Sequence, residues 1–158
     1  MKNVKVDRVS SVAEVETLQR LGVNAISISL SSDRKFKDRR TLSKKEAYLI
    51  KDKIEKNTSF IGSLSINSYQ EMIELATDLE FDYIQLSSIQ QSKILPNEVY
   101  QELKIQGIGL IYSDLECSYD TDPSWILRSI HNSDFDFAQI DLLGDIGDSL
   151  ILPGKILY

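Results

Sequence analysis

The chain reads as an α/β protein built on a parallel sheet of about six βα units. Three observations predict this class. Short apolar runs with strand periodicity alternate with longer runs of helical periodicity, the helical runs open on Ser, Pro or Asp start signals, and no linker or low-complexity segment interrupts the beat. Two closures of such a sheet fit. An open doubly wound sheet takes five or six strands comfortably, whereas a TIM-like βα barrel takes eight, so this chain of 158 residues would make an incomplete one.

Val4-Lys5-Val6 is the first strand. Ser10-Ser11-Val12-Ala13-Glu14 then supplies a Ser cap and an acid in the first helical turn, with Val12, Val15, Leu18 and Leu21 as the stripe expected to be buried. Gly22 ends that helix, and Ala25-Ile26-Ser27-Ile28-Ser29-Leu30 alternates as a strand does. After a basic connection, Ser43 caps a helix running through Ala47, Ile50 and Ile54 to Asn57. Phe60-Ile61-Gly62-Ser63-Leu64-Ser65-Ile66 is the third strand, followed by a helix from Ser68 with Met72, Ile73, Leu75, Ala76 and Leu79 inward. Tyr83-Ile84-Gln85-Leu86 is the fourth strand. Pro96 opens the next helix where a missing N–H costs little, and Val99, Leu103 and Ile105 give it apolar contacts. Residues 107–112 form strand five, Asp122 and Pro123 start helix five, and residues 137–140 form strand six. The remainder, 145–158, is too short for another βα unit of about 30 residues.

A hydrophobic content of 42% fits a single domain over 1–158 with its own core. The single cysteine, Cys117, excludes an internal disulfide framework and sits in an acidic stretch that disfavours a thiolate. No apolar run approaches the roughly 20 residues of a membrane span, and Met1-Lys2-Asn3-Val4 lacks a signal-peptide core, so a cytoplasmic protein without membrane contact is expected. The net charge of −6 and the scattered tyrosines argue against nucleic-acid binding. His131 stands without a partner at metal-site spacing, and neither metal nor cofactor is expected. The charge is uneven: Arg34, Lys35, Lys37, Arg39, Arg40, Lys44 and Lys45 crowd one connection, while the last third is acidic. Such patches suit an anionic small molecule or a contact between subunits, and they are also what a solvated loop and a solvated face look like.

Asp7 closes the first strand and Asp141 the sixth. A βα order puts such residues at one mouth of a parallel sheet, where carboxylates move protons or serve as ordinary loop residues.

Several local sequences carry a family resemblance. Val4-Lys5-Val6-Asp7-Arg8-Val9-Ser10 resembles the N-terminal VKICGIT signature of phosphoribosylanthranilate isomerase, the βα barrel of tryptophan biosynthesis. Leu21-Gly22-Val23-Asn24-Ala25-Ile26 is similar to its LGADAIG segment, Arg40-Thr41-Leu42-Ser43 to its RYIS, and Leu64-Ser65-Ile66-Asn67 to its FVN. Phe81-Asp82-Tyr83-Ile84-Gln85-Leu86-Ser87-Ser88 resembles LDYVQLHG, and Gly154-Lys155 resembles part of the GGTGKTFDW loop. These fall in the family's order, cover nearly the whole chain, and span about the first three quarters of the family's barrel. The resemblance implies an incomplete TIM-like barrel and makes the doubly wound sheet the alternative.

The family performs an Amadori rearrangement: an acid protonates the ring oxygen of a phosphorylated aminoaldose and a base removes the C2 proton. By resemblance Asp141 matches the acid, and Asp7 stands where the family has a cysteine base. A related barrel of histidine biosynthesis uses two aspartates, and paired carboxylates divide into one acid and one base. Arg40, Gln85 and Arg8 are the substrate-binding residues the resemblance implies, although Arg8 replaces a glycine and is expected to fill space or pair with Asp7. Ser87-Ser88 replaces His-Gly, and Ser31-Ser32-Asp33 departs from FYPKS. The loops after strands seven and eight that grip the substrate phosphate have no counterpart here. The expectation is therefore a diverged, shortened relative acting in binding or assembly, with an active isomerase using Asp7 and Asp141 as the alternative. Open edges on strands one and six call for a homodimer or a partner protein, unless residues 150–157 fold over the gap.

Overall fold

Alternating serines and isoleucines in Ala25–Ser31 and the matching run in Ser59–Ser65 fold as the paired centre of one curled sheet. The computed structural model describes residues 4–32, 37–66, 68–86, 95–117, 122, 124, 128, 135–142 and 156–157. In chain order the elements are β1 (Lys5–Val6), α1 (Val12–Arg20), β2 (Ala25–Ser31), β3 (Thr41–Leu42), α2 (Lys44–Lys51), β4 (Ser59–Ser65), α3 (Tyr69–Asp78), β5 (Tyr83–Leu86), α4 (Asn97–Ile105), β6 (Gly109–Cys117), β7 (Phe137–Leu142) and β8 (Ile156–Leu157). The sheet runs β1-β2-β4-β5-β6-β7-β8, with β3 beside β2. Each pairing is parallel except β7 with β8.

This order follows the sequence without a reversal, so there is no switch point of the kind a doubly wound sheet has, and the sheet is an incomplete barrel. Its edges approach: the side chains of Lys5 on β1 and Gln139 on β7 meet at 2.8 Å. The outer edge of β7 is covered by β8, antiparallel at Gln139 and Ile140, so that edge is not open and residues 156–157 lie over it, as the alternative of a tail folded over the gap has it.

One face of the sheet carries the main core. Ile26, Ile28 and Leu30 of β2, Phe60 and Leu64 of β4, and Ile84 and Leu86 of β5 pack with Val15, Ala47, Ile50, Met72, Ala76 and Leu103 from the four helices. Each such burial contributes about 1.5–3 kcal/mol for the larger side chains. Leu21 and Ile105, expected inward, are 76% and 77% exposed: Leu21 is the cap residue beyond α1, and Ile105, two residues past buried Leu103, falls on the opposite side of α4. Likewise α2 stops at its cap Asp52, short of Ile54 and Asn57, and β6 begins at Gly109 and runs on to Cys117. No helix among the described residues is long and apolar enough to cross a membrane.

The helices begin and end on recurrent local chemistry. Ser11, Ser43 and Ser68 each accept the N–H of a glutamate three residues on, and at Ser43 the Glu46 carboxylate returns the bond. Three helices close with the same pair of bonds. Gly22 N–H reaches Gln19 and Val23 N–H reaches Leu18; Glu80 and Phe81 reach Thr77 and Ala76; Gly107 and Ile108 reach Lys104 and Leu103. The first residue of each pair is left-handed, at φ 82°, 53° and 75°. Two are glycines, and Glu80 is the exception. The following residue in each case, Val23, Phe81 or Ile108, is buried and starts the chain back into the sheet.

The asymmetry gives a stability prediction. A left-handed L-residue costs about 1–2 kcal/mol, part of which glycine returns through its looser unfolded chain. The exposed Lys51–Glu80 pair at 3.0 Å offsets little of it. Glu80→Gly is expected to raise unfolding stability by about 0.5–1 kcal/mol, while Gly107→Ala lowers it by about 1 kcal/mol. Urea unfolding checks both, and a less stable Glu80→Gly protein rules out the strain argument.

Candidate functional site at the mouth of the half-barrel

On the face opposite the helices, alternation places Lys5 and Asp7 of the first strand, Ser27, Ser29 and Ser31 of β2, Ile61, Ser63 and Ser65 of β4, Gln85 of β5 and Gln139 of β7. Ile61 and Ile111 are buried here, outside the main core. Most of the other described residues of this concave face are polar.

Lys5 organises it. Its side chain is 3% exposed, and its ammonium pairs with Asp7 Oδ1 at 2.5 Å and donates to Gln85 Oε1 at 2.7 Å and Gln139 Oε1 at 2.8 Å. A buried ammonium is tolerated only with such acceptors, because desolvation otherwise costs several kcal/mol. The two glutamines occupy the same place in an internal echo, Phe81-Asp82-Tyr83-Ile84-Gln85 and Phe135-Asp136-Phe137-Ala138-Gln139. The aspartates of the echo are equivalent too: Asp82 accepts the Phe60 N–H at 2.7 Å and Asp136 the Leu110 N–H at 2.8 Å, each pinning its strand to an earlier one. Between them Gly109 leaves room for Tyr83, which meets Phe137 edge to face at 5.2 Å.

Beyond Lys5, at the C-terminal end of the strands, Asp7, Arg8, Asp38, Arg39 and Arg40 line a cavity of about 440 Å³. Arg8 is left-handed at φ 58°, at the position where the resembling signature has glycine. Its guanidinium pairs with Asp38, not with Asp7 as expected. Arg40 donates to the Arg8 carbonyl at 2.9 Å and to Glu14 Oε1 at 3.2 Å. The Arg8 hydrogen bond, followed by the Arg40 N–H, holds the Asp38 carboxyl down at about 2. Glu14 is held below the usual range first by the Ser10 N–H and then by Arg40. Among the described residues, Arg39 has no carboxylate partner.

Of the residues singled out from the sequence, Asp7, Arg8 and Arg40 thus share one cavity, and Gln85 joins Asp7 through Lys5. The backbone of Asp141 lies on β7 level with Glu116, two residues past Gln139. Its side chain, and Asp33, Arg34, Lys35, Ser87, Ser88, His131, Gly154 and Lys155, lie outside the described residues. Cys117 ends β6 level with Leu142 and is not in a loop. Among the described residues no group of three or more His, Cys, Asp or Glu is placed to hold a metal ion. Sequence reasoning passed over Lys5 and Gln139; the signal for them is a lysine inside an apolar strand and the glutamine common to both echoes.

Two predictions follow from this geometry. Lys5→Met removes the ammonium bound by Asp7 and by both glutamine oxygens, so it is expected to cost about 3 kcal/mol, and Lys5→Met with Asp7→Asn costs less than the sum of the single changes. Additive losses in denaturant unfolding would dismiss the pairing. The second concerns acid. A carboxyl lowered from 3.8 to about 2 stabilises the folded state fully above about pH 4 and loses that contribution as pH falls toward 2. Asp38→Asn is therefore expected to be less stable than the parent at neutral pH, the gap closing between about pH 4 and 2. A gap that stays constant through that window refutes the role given to Asp38.

No family model matches the sequence, and neither does any curated protein. Solved structures do resemble it. Phosphoribosyl anthranilate isomerase from Thermotoga maritima superposes with a TM-score of 0.68 at 15% identity over 92% of this chain and 64% of that one. The Pyrococcus furiosus enzyme gives 0.70 at 16% identity over 90% and 68%. The Thermococcus kodakaraensis enzyme gives 0.68 at 16% over 93% and 68%. The chain thus spans 64% of the length of the Thermotoga enzyme, and over that span it has the fold of these isomerases.

Proposed function

We propose that the chain is a binding or assembly protein on an incomplete isomerase-type barrel, without isomerase turnover of its own. The observation that carries this reading is the 2.5 Å ion pair of Asp7 with buried Lys5. A general base must take up a proton, and if Asp7 did so it would give up its ion pair with the Lys5 ammonium, whose side chain is 3% exposed. Arg8 and Arg40 are likewise spent on Asp38 and Glu14, which leaves Arg39 as the cation at the cavity open to an anionic group. A bound molecule would lie in the mouth. Assembly would use the outer edge of β1, the first strand in the sheet order, with a second copy as the occupant.

The alternative is an isomerase with Asp7 as base and Asp141 as acid, and one observation favours it. Asp7 follows Lys5 by two residues and Asp141 follows Gln139 by two, and the side chains of Lys5 and Gln139 meet at 2.8 Å. Phosphoribosyl anthranilate is fluorescent and loses its fluorescence on rearrangement, so a direct assay separates the two. The expected result is no fluorescence loss at high protein concentration, for the parent and for Asp7→Asn alike. Turnover by the parent that disappears in Asp7→Asn and Asp141→Asn would instead establish the isomerase.

A further inference from the structure

One tie recurs at the N-terminal end of the strands, the end opposite the Arg39 cavity. Asn24, Asp82 and Asp136 each stand just before a strand. Each donates its N–H to the carbonyl of Val4, Phe60 or Leu110 and accepts the N–H of that same residue on a side-chain oxygen. Asn24 does this with a neutral amide, so the tie needs no charge. At Asp136 the charge is matched: the Lys104 ammonium lies 2.6 Å from Oδ1 and 5.5 Å from the centre of the Tyr100 ring. At Asp82 it is not. Oδ2 takes the Phe60 N–H, and among the described residues no cation pairs with this carboxylate. Where Lys104 stands six residues before Leu110, the residue six before Phe60 is Ile54, which packs on the core.

Asp82 lines a cavity of about 510 Å³ together with Ser59, Tyr83, Lys104, Asp136 and Phe137. Two carboxylates and one ammonium leave this cavity with a net negative charge. The C-terminal end of α4, which reaches the wall at Gly107, adds the negative end of a helix. Anions are therefore repelled here, and one free carboxylate is too few ligands for a divalent metal. An organic cation suits every wall. Tyr83 is half-buried and Phe137 is 39% exposed, so their edge-to-face pair offers aromatic surface to an alkyl chain. A primary ammonium carries three donors for Asp82 Oδ1, the Ser59 hydroxyl and solvent. The Asp136 end of the same cavity already holds such a group, supplied by the chain itself, between a carboxylate and a ring.

We propose that this second cavity binds a primary alkylammonium ion, its nitrogen on Asp82 Oδ1 and its carbon chain along Tyr83 and Phe137. The site lies at the other end of the strands from Asp7, Arg8 and Arg39, so it stands apart from the reading of the mouth.

The test titrates the full, ¹⁵N-labelled chain at neutral pH and fixed ionic strength with n-butylammonium chloride. Butanol serves as the neutral match, and a capped tripeptide with lysine between two glycines carries the same ammonium on a protein side chain. n-Butylammonium is expected to shift the backbone amides of Asp82, Tyr83 and Gly109 saturably, and butanol to leave them in place. That contrast is read on the parent chain and decides the need for charge by itself. Asp82→Asn keeps the tie in the form Asn24 uses, so it is expected to hold the unfolding midpoint while weakening amine binding by about tenfold or more. Peptide binding tighter than that of n-butylammonium assigns the ammonium to a partner protein's lysine, and weaker binding assigns it to a free amine. No saturable shift at these amides, an equal response to butanol, or undiminished binding by a folded Asp82→Asn protein would overturn the site.

Discussion

Carrying an ammonium group into the interior of a half-barrel is the constraint around which this structure is arranged. Lysine donates from three N–H groups and accepts nothing, so its burial demands acceptors from several directions at once. Asp7 supplies charge from the same strand, and Gln85 and Gln139 supply oxygens from strands that are 80 and 134 residues away. Those partners can be met only if the sheet curls until its first and sixth parallel strands face each other. The polar cluster thus fixes the curvature that strand twist alone leaves variable.

Outside that cluster the fold is assembled from devices used more than once. Serine caps start α1, α2 and α3, and one two-bond closure ends α1, α3 and α4. Each closure sends a buried residue back toward the sheet, and Asn24, Asp82 and Asp136 then tie the incoming strand to the N–H of Val4, Phe60 and Leu110. A helix end and a strand start are thereby fixed in one step. The βα repeat is thus held by bonds within each helix end and between neighbouring units, in a sheet whose adjacent strands are consecutive in sequence apart from the short β3.

What could be read from the sequence follows this division between local and distant. Ser43, Ser68 and residues 83–86 were legible because caps and period-two alternation act over a few residues. Leu21 and Ile105 misled because an apolar residue near a helix end was counted into the stripe, although Leu21 falls at the cap and Ile105 lies half a turn away from Leu103. The partner of Arg8 was out of reach: Asp7 is its neighbour in the chain, but a left-handed Arg8 turns toward Asp38, 30 residues on. Lys5 required three strands to be placed before its burial made sense. The echo around Gln85 and Gln139 is the exception, a long-range feature written in local residues.

The polarity of the concave face follows from the incompleteness of the barrel. Closure removes both edges of a sheet and lets its interior be wholly apolar, since no water reaches it. Here six parallel strands along the main path of the sheet are followed by an antiparallel one, and β8 occupies edge groups of Gln139 and Ile140 that a further parallel strand would need. An interior of Val, Ile and Leu under those conditions would be an exposed apolar patch, with the association such patches bring. Serine and glutamine at the same positions bond within the protein, the glutamines to Lys5 and Ser31 to the Ser65 carbonyl, and form no apolar patch. The price is a face whose hydroxyls and amides are not all satisfied within the protein, Ser27 being the extreme case. Tolerance of the opening and capacity for hydrogen bonding across it are therefore the same property of the same residues.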